Sequence, residues 1–350
     1  MFDIKNVLND LCSISSPSGY EMNITSFLRS YLSCYDNIII TEDHIGNIIV
    51  EKKGNCNTSS IMLVAHCDEI GFAVKYIDES GFIHFSPLGG IDLSILRGRD
   101  VVIKHKEQTV CGVIGARPVS LSKNNKSKDI DISDLWIDIG ASSKSEVMNA
   151  ISIGDPITFK PHFNELSNNI FSSKSIDNRV GVAILMSLID RLHNANTRDS
   201  LFFVFSVQEE VGLRGVITAG YNIHPSIGIA IDVTHATDYP TINKNAFGEI
   251  KLGKGPSIPI GPNFNGSVQR QLRAIAERKQ ITYQVESISG FSGTDVAELQ
   301  LLRGGCQSGL LSIPCRYMHT PTEMASYDDV LSAIEILFEF CTSKDIKIWN

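Results

Sequence analysis

Ile4, Val7, Leu8 and Leu11 recur at helical spacing, and Ile24, Phe27 and Leu28 repeat the pattern after a break at Pro17 and Gly19. Two helices are therefore expected to open the chain. Short β-rich runs follow, NIIIT at 37–41 and NIIVEK at 47–52, and then IMLVA at 61–65, a continuous apolar run of the kind a strand shows when both its faces are covered. Beyond residue 68 the texture changes. FAVKYI, FIHFSPL, DVVIKH, TVCGVIG, LWIDIG and DPITFK are short segments of strand character separated by Gly and polar turns. Within this region only 144–151 has a helical pattern, and the spacing predicts a small all-β barrel or sandwich. The stretch SKNNKSKDIDISD at 122–134 reads as a polar, charge-rich loop.

From residue 177 the alternation of helix and strand returns. A helix is expected at 178–193, a strand at 201–207 (LFFVFSV), a short helix near 213–221 and a strand at 226–231 (SIGIAI). The pattern then predicts a helix at 267–279, a strand near 282–286, a helix near 295–303, the strand GLLSI at 309–313 and a closing helix at 327–342. The economical reading is an α/β fold, a mixed sheet with helices on both faces, interrupted by an inserted barrel-like β domain. The boundaries expected are 1–68 plus 165–350 for the α/β part and 69–164 for the insertion.

Composition narrows the functional classes. Of 350 residues, 43% are hydrophobic and 20% charged, which supplies a sizeable core and excludes wholesale disorder. The 31 Lys and Arg against 39 Asp and Glu give a net charge of −8, and no long basic run is present, so nucleic acid is not an expected partner. No stretch approaches the ~18 consecutive apolar residues of a membrane span, and the N-terminus lacks the basic start and apolar core of a secretory signal. Cys12, Cys34, Cys56, Cys67, Cys111, Cys306, Cys315 and Cys341 are scattered with no CxxC pair. They read as free thiols in a reducing compartment, so a cytoplasmic location is expected.

Three strands of buried character run into metal-capable residues. IMLVA leads to His66, Cys67 and Asp68, LFFVFSVQ to Glu209 and Glu210, and SIGIAI to Asp232. In an open α/β sheet, sites form at the carboxyl ends of strands, so groups far apart in sequence can converge. Each has an ordinary explanation as well. A histidine after an apolar run is commonly a core or turn residue, but Asp68 stands where it could fix the His66 tautomer. Adjacent glutamates are commonly a solvated face. After a buried strand, however, Glu209 and Glu210 would repel each other unless a cation compensated them. The functional reading makes Glu210 a metal ligand and leaves Glu209 free as general base. Asp232 could equally be a turn residue. Asp177, at the start of a long helical stretch, is by default an N-cap, though a carboxylate held there could bridge two cations. His319 follows the GLLSI strand by a short loop that Pro321 stiffens. The set of two His and three carboxylates, with no thiolate, suits Zn, Co or Mn. Two metals sharing one carboxylate at ~3.5–4 Å would hold a bridging water, lower its pKa and polarise a carbonyl. Glu209 would take the water's proton and pass it to the leaving amine.

VAHCDEIGF at 64–72, SIDNRVG at 175–181, VQEEVGLRG at 207–215 and IDVTHATD at 231–238 together resemble the M42 family of dinuclear metallo-aminopeptidases, the glutamyl and tetrahedral aminopeptidase group. KLGKGP at 251–256, GTD at 293–295 and IPCRYMHTPTE at 313–323 extend the likeness over nearly the whole chain, in the family's order. The resemblance implies two divalent metal ions per subunit. His66, Asp177 and Asp232 would bind one; Asp177, Glu210 and His319 the other, with Asp177 as the bridge. It also implies Glu209 as general base, Asp68 as support for His66, and an inserted β domain that helps assemble dimers into particles of up to twelve subunits. Short peptides would be the substrates, losing N-terminal residues through a metal-bound hydroxide. Phe291 and Ser292, in SGFSGTD at 289–295, and the loop at 119–134 depart from the family pattern. Arg316 and Tyr317 read as packing beside the His319 loop, and His235, although near Asp232, is not assigned as a ligand. His44, His84, His105, His162, His193 and His224 read as structural or surface residues.

Two other readings compete. The same chemistry would serve a deacylase of small N-acyl substrates, because a dinuclear centre does not itself select a peptide. A non-catalytic scaffold would have lost the base or a ligand, yet all these positions carry competent side chains. An endoglucanase role, a label some relatives carry, fits poorly, since glycoside hydrolysis normally uses a carboxylic acid pair without metals.

Overall fold

The computed structural model describes residues 2–55, 59–118 and 130–343. Helices α1 (Ile4–Ser13) and α2 (Met22–Leu32) come first, followed by strands β1 (Ile39–Glu42), β2 (Ile48–Lys52) and β3 (Ser60–His66). The Asp3 carboxylate starts α1 by accepting the Lys5 and Asn6 amides, which have no partner inside the helix. Strands β4 (Gly71–Ile77), β5 (Ile83–Leu88), β6 (Asp100–His105), β7 (Gln108–Ala116) and β8 (Leu135–Asp138) follow, then the short α3 (Lys144–Met148) and β9 (Pro156–Phe159). These six strands close into an antiparallel barrel in the order β4-β5-β8-β7-β6-β9. Their inward residues, Phe72, Phe85 and Phe159 among them, form a core separate from the rest of the chain. Of the polar loop expected at 122–134, residues 122–129 lie outside the described residues, and 132–134 form a single 3-10 turn.

After the barrel come β10 (Phe163–Glu165), β11 (Ile170–Ser173), α4 (Ile176–Leu192), β12 (Ser200–Ser206), α5 (Arg214–Ile223) and β13 (Ile227–His235). The chain then passes through α6 (Lys244–Phe247), α7 (Gly266–Lys279), α8 (Val296–Leu299), β14 (Gln307–Cys315), β15 (Glu323–Ser326) and α9 (Tyr327–Thr342). The main sheet runs β1-β2-β12-β3-β13-β14. Its four strands β12, β3, β13 and β14 are parallel, and the β1–β2 hairpin is antiparallel at one edge. Alternation within β3 explains the unbroken apolar run. Ile61, Leu63 and Ala65 pack with α1, α2, α4, α7 and α9 on one face, while Met62 and Val64 pack with α5 and α8 on the other. The fold is thus α/β, a mixed sheet with helices on both faces, accompanied by a small closed barrel.

Three features differ from the pattern reading. Residues 282–286 form no ladder strand; Ser257 and Gln284, and Ile260 and Ser287, meet only as isolated bridges. The helix expected over 295–303 is confined to Val296–Leu299. A three-stranded sheet, β10-β11-β15, was not expected at all. Its strands are three or four residues long, too short for alternation to register. Among the described residues, no helix is long and apolar enough to cross a membrane.

Helix α4 approaches β3 closely because Gly181 lies at the contact. A Cβ there would come within 2.4 Å of Asn178 Oδ1 and 2.9 Å of Ala65 Cβ. Gly181→Ala is therefore expected to lower stability by about 1–3 kcal/mol despite the better helix propensity of alanine. Urea unfolding of the two proteins measures the difference.

Candidate metal centre

The parallel strands β3, β12 and β13 place their carboxyl ends side by side, and register fixes which residues meet. Ser206 pairs with His66 across β12 and β3, so Glu209 and Glu210 emerge just beyond His66. Asp232 lies within β13, beside β3. Asp177 and His319 arrive from the β11–α4 junction and the β14–β15 loop.

The Asp177 carboxylate lies between the two imidazoles. Its Oδ1 is 3.1 Å from His66 Nε2, and its Oδ2 is 3.3 Å from His319 Nε2. His66 Nε2 also lies 3.6 Å from Asp232 Oδ1 and 3.9 Å from Glu209 Oε2, and His319 Nε2 lies 3.4 Å from Glu210 Oε1. His66, Asp68, Asp177, Glu209 and Asp232 are all buried. Metal–ligand bonds of about 2.0–2.1 Å in a tetrahedron leave neighbouring donor atoms about 3.3–3.4 Å apart. Spacings of 3.1–3.6 Å are what such a centre needs. By distance alone, His66, Glu209 and Asp232 form one group able to hold a cation, and His66, Asp177 and Glu210 another. Of the three carboxylates within 4 Å of His66 Nε2, Glu209 is the farthest.

The default reading of Asp177 as an N-cap is not what the structure contains. Asp177 and Asn178 have non-helical backbone angles, and regular helix begins after them. Asn178 takes the capping role, its Oδ1 accepting the Gly181 amide at 3.1 Å while its Nδ2 donates to the Ile231 carbonyl at 2.8 Å. The Asp177 side chain is free to face the histidines.

Asp68 does more than face His66, whose Nδ1 is 3.5 Å away. Its two oxygens accept the Glu209 amide at 3.1 Å and the Glu210 amide at 3.2 Å, and the Ser18 hydroxyl as well. One carboxylate thus holds the backbone of both glutamates. Sequence reasoning gave no role to Asp295, Glu323 or Glu69. Asp295 Oδ2 accepts the Ser206 hydroxyl at 2.6 Å, beneath the strand that carries Glu209. Glu323 accepts the amides of Asp177 and His319. Glu69 pairs with the buried Lys174 at 2.6 Å and with Arg179 at 3.5 Å. The first two lie inside the GTD and HTPTE segments, and Glu69 directly follows Asp68. Only their three-dimensional surroundings separate them from surface acids.

Electrostatics show what this cluster lacks. Burial pulls the His66 imidazole down, but Glu209, Asp177, Asp232 and Asp68 outweigh it and hold the ring well above its usual value. His319 is likewise lifted against burial, to about 11, by Asp177 and Glu210. Burial raises Glu209, Glu210 and Asp232, which repel one another, and brings Asp295 up to about 7. Asp177 falls below the carboxylate range despite burial, because both histidines stabilise its charge. The carboxylates outnumber the imidazoles, and Glu210 Oε1 has no hydrogen-bond partner. Divalent cations would supply the missing charge, and the donor set of imidazole and carboxylate fits them.

A cluster of convergent imidazoles and carboxylates at the carboxyl edge of a parallel sheet has the chemistry that a metal-dependent hydrolase uses. The chain matches the M42 glutamyl aminopeptidase family over residues 46–336 and belongs to that family of metallopeptidases. It is accordingly an aminopeptidase, a hydrolase acting on peptides. It is 37% identical over 341 residues to a putative aminopeptidase of Acetivibrio thermocellus, covering 96% of this chain and 98% of the relative. It is 34% identical to the lysyl aminopeptidase of Pyrococcus furiosus, covering 92% and 93%. The TET1 peptidase of Pyrococcus horikoshii, which can assemble into a tetrahedron or a large octahedral shell, superimposes with a TM-score of 0.87 at 31% identity, over 97% of this chain and all of that one.

Metal-free His66 and His319 both hold a proton more tightly than a free imidazole, and an imidazole must be neutral to bind a metal. Zn²⁺ binding is therefore expected to release protons, with apparent affinity climbing as pH rises towards the His319 value of about 11. Calorimetry in buffers of different ionisation enthalpy measures the release.

Proposed function

We propose that the chain removes N-terminal residues from short peptides with two divalent cations, Zn, Co or Mn, held by His66, Asp177, Glu210, Asp232 and His319. The observation that carries this reading is Asp177, whose two oxygens face two different histidines at 3.1 and 3.3 Å. A carboxylate so placed suits a bridge, with His66 and Asp232 on one side and Glu210 and His319 on the other. When bound, the cations polarise the scissile carbonyl and make a water acidic enough to attack near neutral pH.

Glu209 is then the proton carrier. Its Oε2, 3.9 Å from His66 Nε2, lies close enough to face the centre and too far to be its tightest ligand. Burial beside Asp232, Asp295 and Glu210 raises its proton affinity, which suits a carboxylate that accepts a proton from water and returns it to the leaving amine. Asp68 fixes the Glu209 and Glu210 backbone, so base and ligand keep their separation.

Glu209→Gln is expected to keep the metal content while lowering turnover of aminoacyl anilides by about 10²–10⁴-fold. Metal analysis alongside steady-state kinetics checks both parts. The kinetic panel includes N-acetylated amino acids and a cellulose derivative. Turnover confined to either would replace the peptidase reading with a deacylase or a glycosidase.

The proposal extends to organisation. Residues 69–164 form an inserted domain that serves assembly, and 1–68 with 165–350 form the catalytic domain. The separate barrel core supports this division. The tetrahedron formed by the Pyrococcus horikoshii peptidase and the dodecamer of the similar PhTET1-12s structure support assembly of this chain from dimer towards dodecamer. Native mass spectrometry is expected to give even multiples of the 38.5 kDa chain; a monomer at every concentration would refute assembly. The free cysteines at 12, 34, 67, 111, 306, 315 and 341 suit a reducing cytoplasm.

A further inference from the structure

Asp177 and His319 stand on backbone that no regular element holds. Asp177 sits in the kink that precedes helix α4, with φ −75° and ψ 105°. His319 is left-handed at φ 61°, in the loop between β14 and β15. A single side chain joins them. Glu323, 1% exposed, accepts the Asp177 amide on Oε2 at 2.9 Å and the His319 amide on Oε1 at 2.8 Å. Its own backbone is anchored, because Glu323 pairs with Ser173 where β15 joins β11. We propose that Glu323 is a positioning residue, which ties the β11–α4 junction to the His319 loop and thereby sets how tightly the cation between Asp177 and His319 is held. The proposal rests on the paired-cation reading above.

The carboxylate is suited to this task in a way its amide is not. Both oxygens of a glutamate accept, so two N–H groups from separate segments can be held at once. A glutamine has one acceptor oxygen and an NH₂ group that would face the second N–H donor to donor, so one of the two ligand segments would lose its tether. Aspartate would keep both acceptor oxygens but withdraw them by one methylene. The arrangement parallels Asp68, which holds the amides of Glu209 and Glu210 from the opposite side of the centre. Each metal-facing pair of side chains has its own carboxylate tether.

The test is a Zn²⁺ titration of the metal-free full-length protein against a competing chelator, for wild type, Glu323→Gln and Glu323→Asp. Glu323→Gln is expected to weaken the cation held by His319 by about 10–100-fold, as loss of a ligand-orienting group does elsewhere, with a smaller loss at the other. Glu323→Asp should weaken the same equivalent by less, and excess Zn²⁺ should restore Glu323→Gln turnover without restoring Glu209→Gln. A loss of less than about tenfold at both equivalents in Glu323→Gln overturns the proposal. Failure of the paired-cation reading looks different, since wild type itself would then take up no second equivalent. Should both variants fail to fold, amide exchange on the metal-free wild type decides: the Asp177 and His319 amides are expected to be protected, and exchange at unstructured rates would overturn the tether.

Discussion

The mutual repulsion of buried carboxylates organises this molecule's functional end. Asp177, Glu209 and Asp232, all buried, and the half-buried Glu210 crowd two imidazoles, and burial alone would drive these acids towards neutrality. In the metal-free chain the excess negative charge raises the proton affinity of both histidines. Bound metal would meet the same demand and leave the imidazoles neutral, as ligands must be. The same imbalance explains why the site is rigidly tethered: like charges packed together move apart unless their backbones are held.

That restraint comes from side chains one layer removed. Asp68 holds the two glutamates, Glu323 joins Asp177 to His319, and Asn178 starts the regular part of α4 so that Asp177 need not. The buried Glu69, Lys174 and Arg179 group lies where the barrel leaves β3 and where α4 begins, connecting the barrel's attachment to the segment that carries Asp177. The loop after β5 is also close. A Cβ at Gly89 would come within 3.2 Å of Glu210 Oε2, and one at Gly90 within 3.4 Å of His319 Nδ1. The barrel therefore contributes a wall to the site as well as a body of its own.

Much of this was legible in the chain of letters. The unbroken run before His66 and the runs before Glu209 and Asp232 marked strands covered on both faces, and a parallel sheet then brings their ends together almost by necessity. The change to short strands after residue 68 marked the barrel. What failed to register were segments whose conformation is set by distant partners. The β10-β11-β15 sheet joins strands separated by about half the chain, and 282–286 is extended only because it lies along 257–260. Asp177 looked like an ordinary helix cap, since a sequence gives no sign that the next residue will take over that role.

Residue type and periodicity determined the α/β class, the barrel and the inventory of groups able to bind a cation, because hydrophobic burial is read directly from spacing. Tertiary structure decided which acids face the centre and which hold it in place. Asp68, Asp295 and Glu323 are chemically no different from the proposed ligands, and what distinguishes them is that their oxygens are engaged by backbone N–H and hydroxyl groups. That distinction is one of hydrogen-bond geometry between segments up to 146 residues apart, and it exists only once the chain is folded.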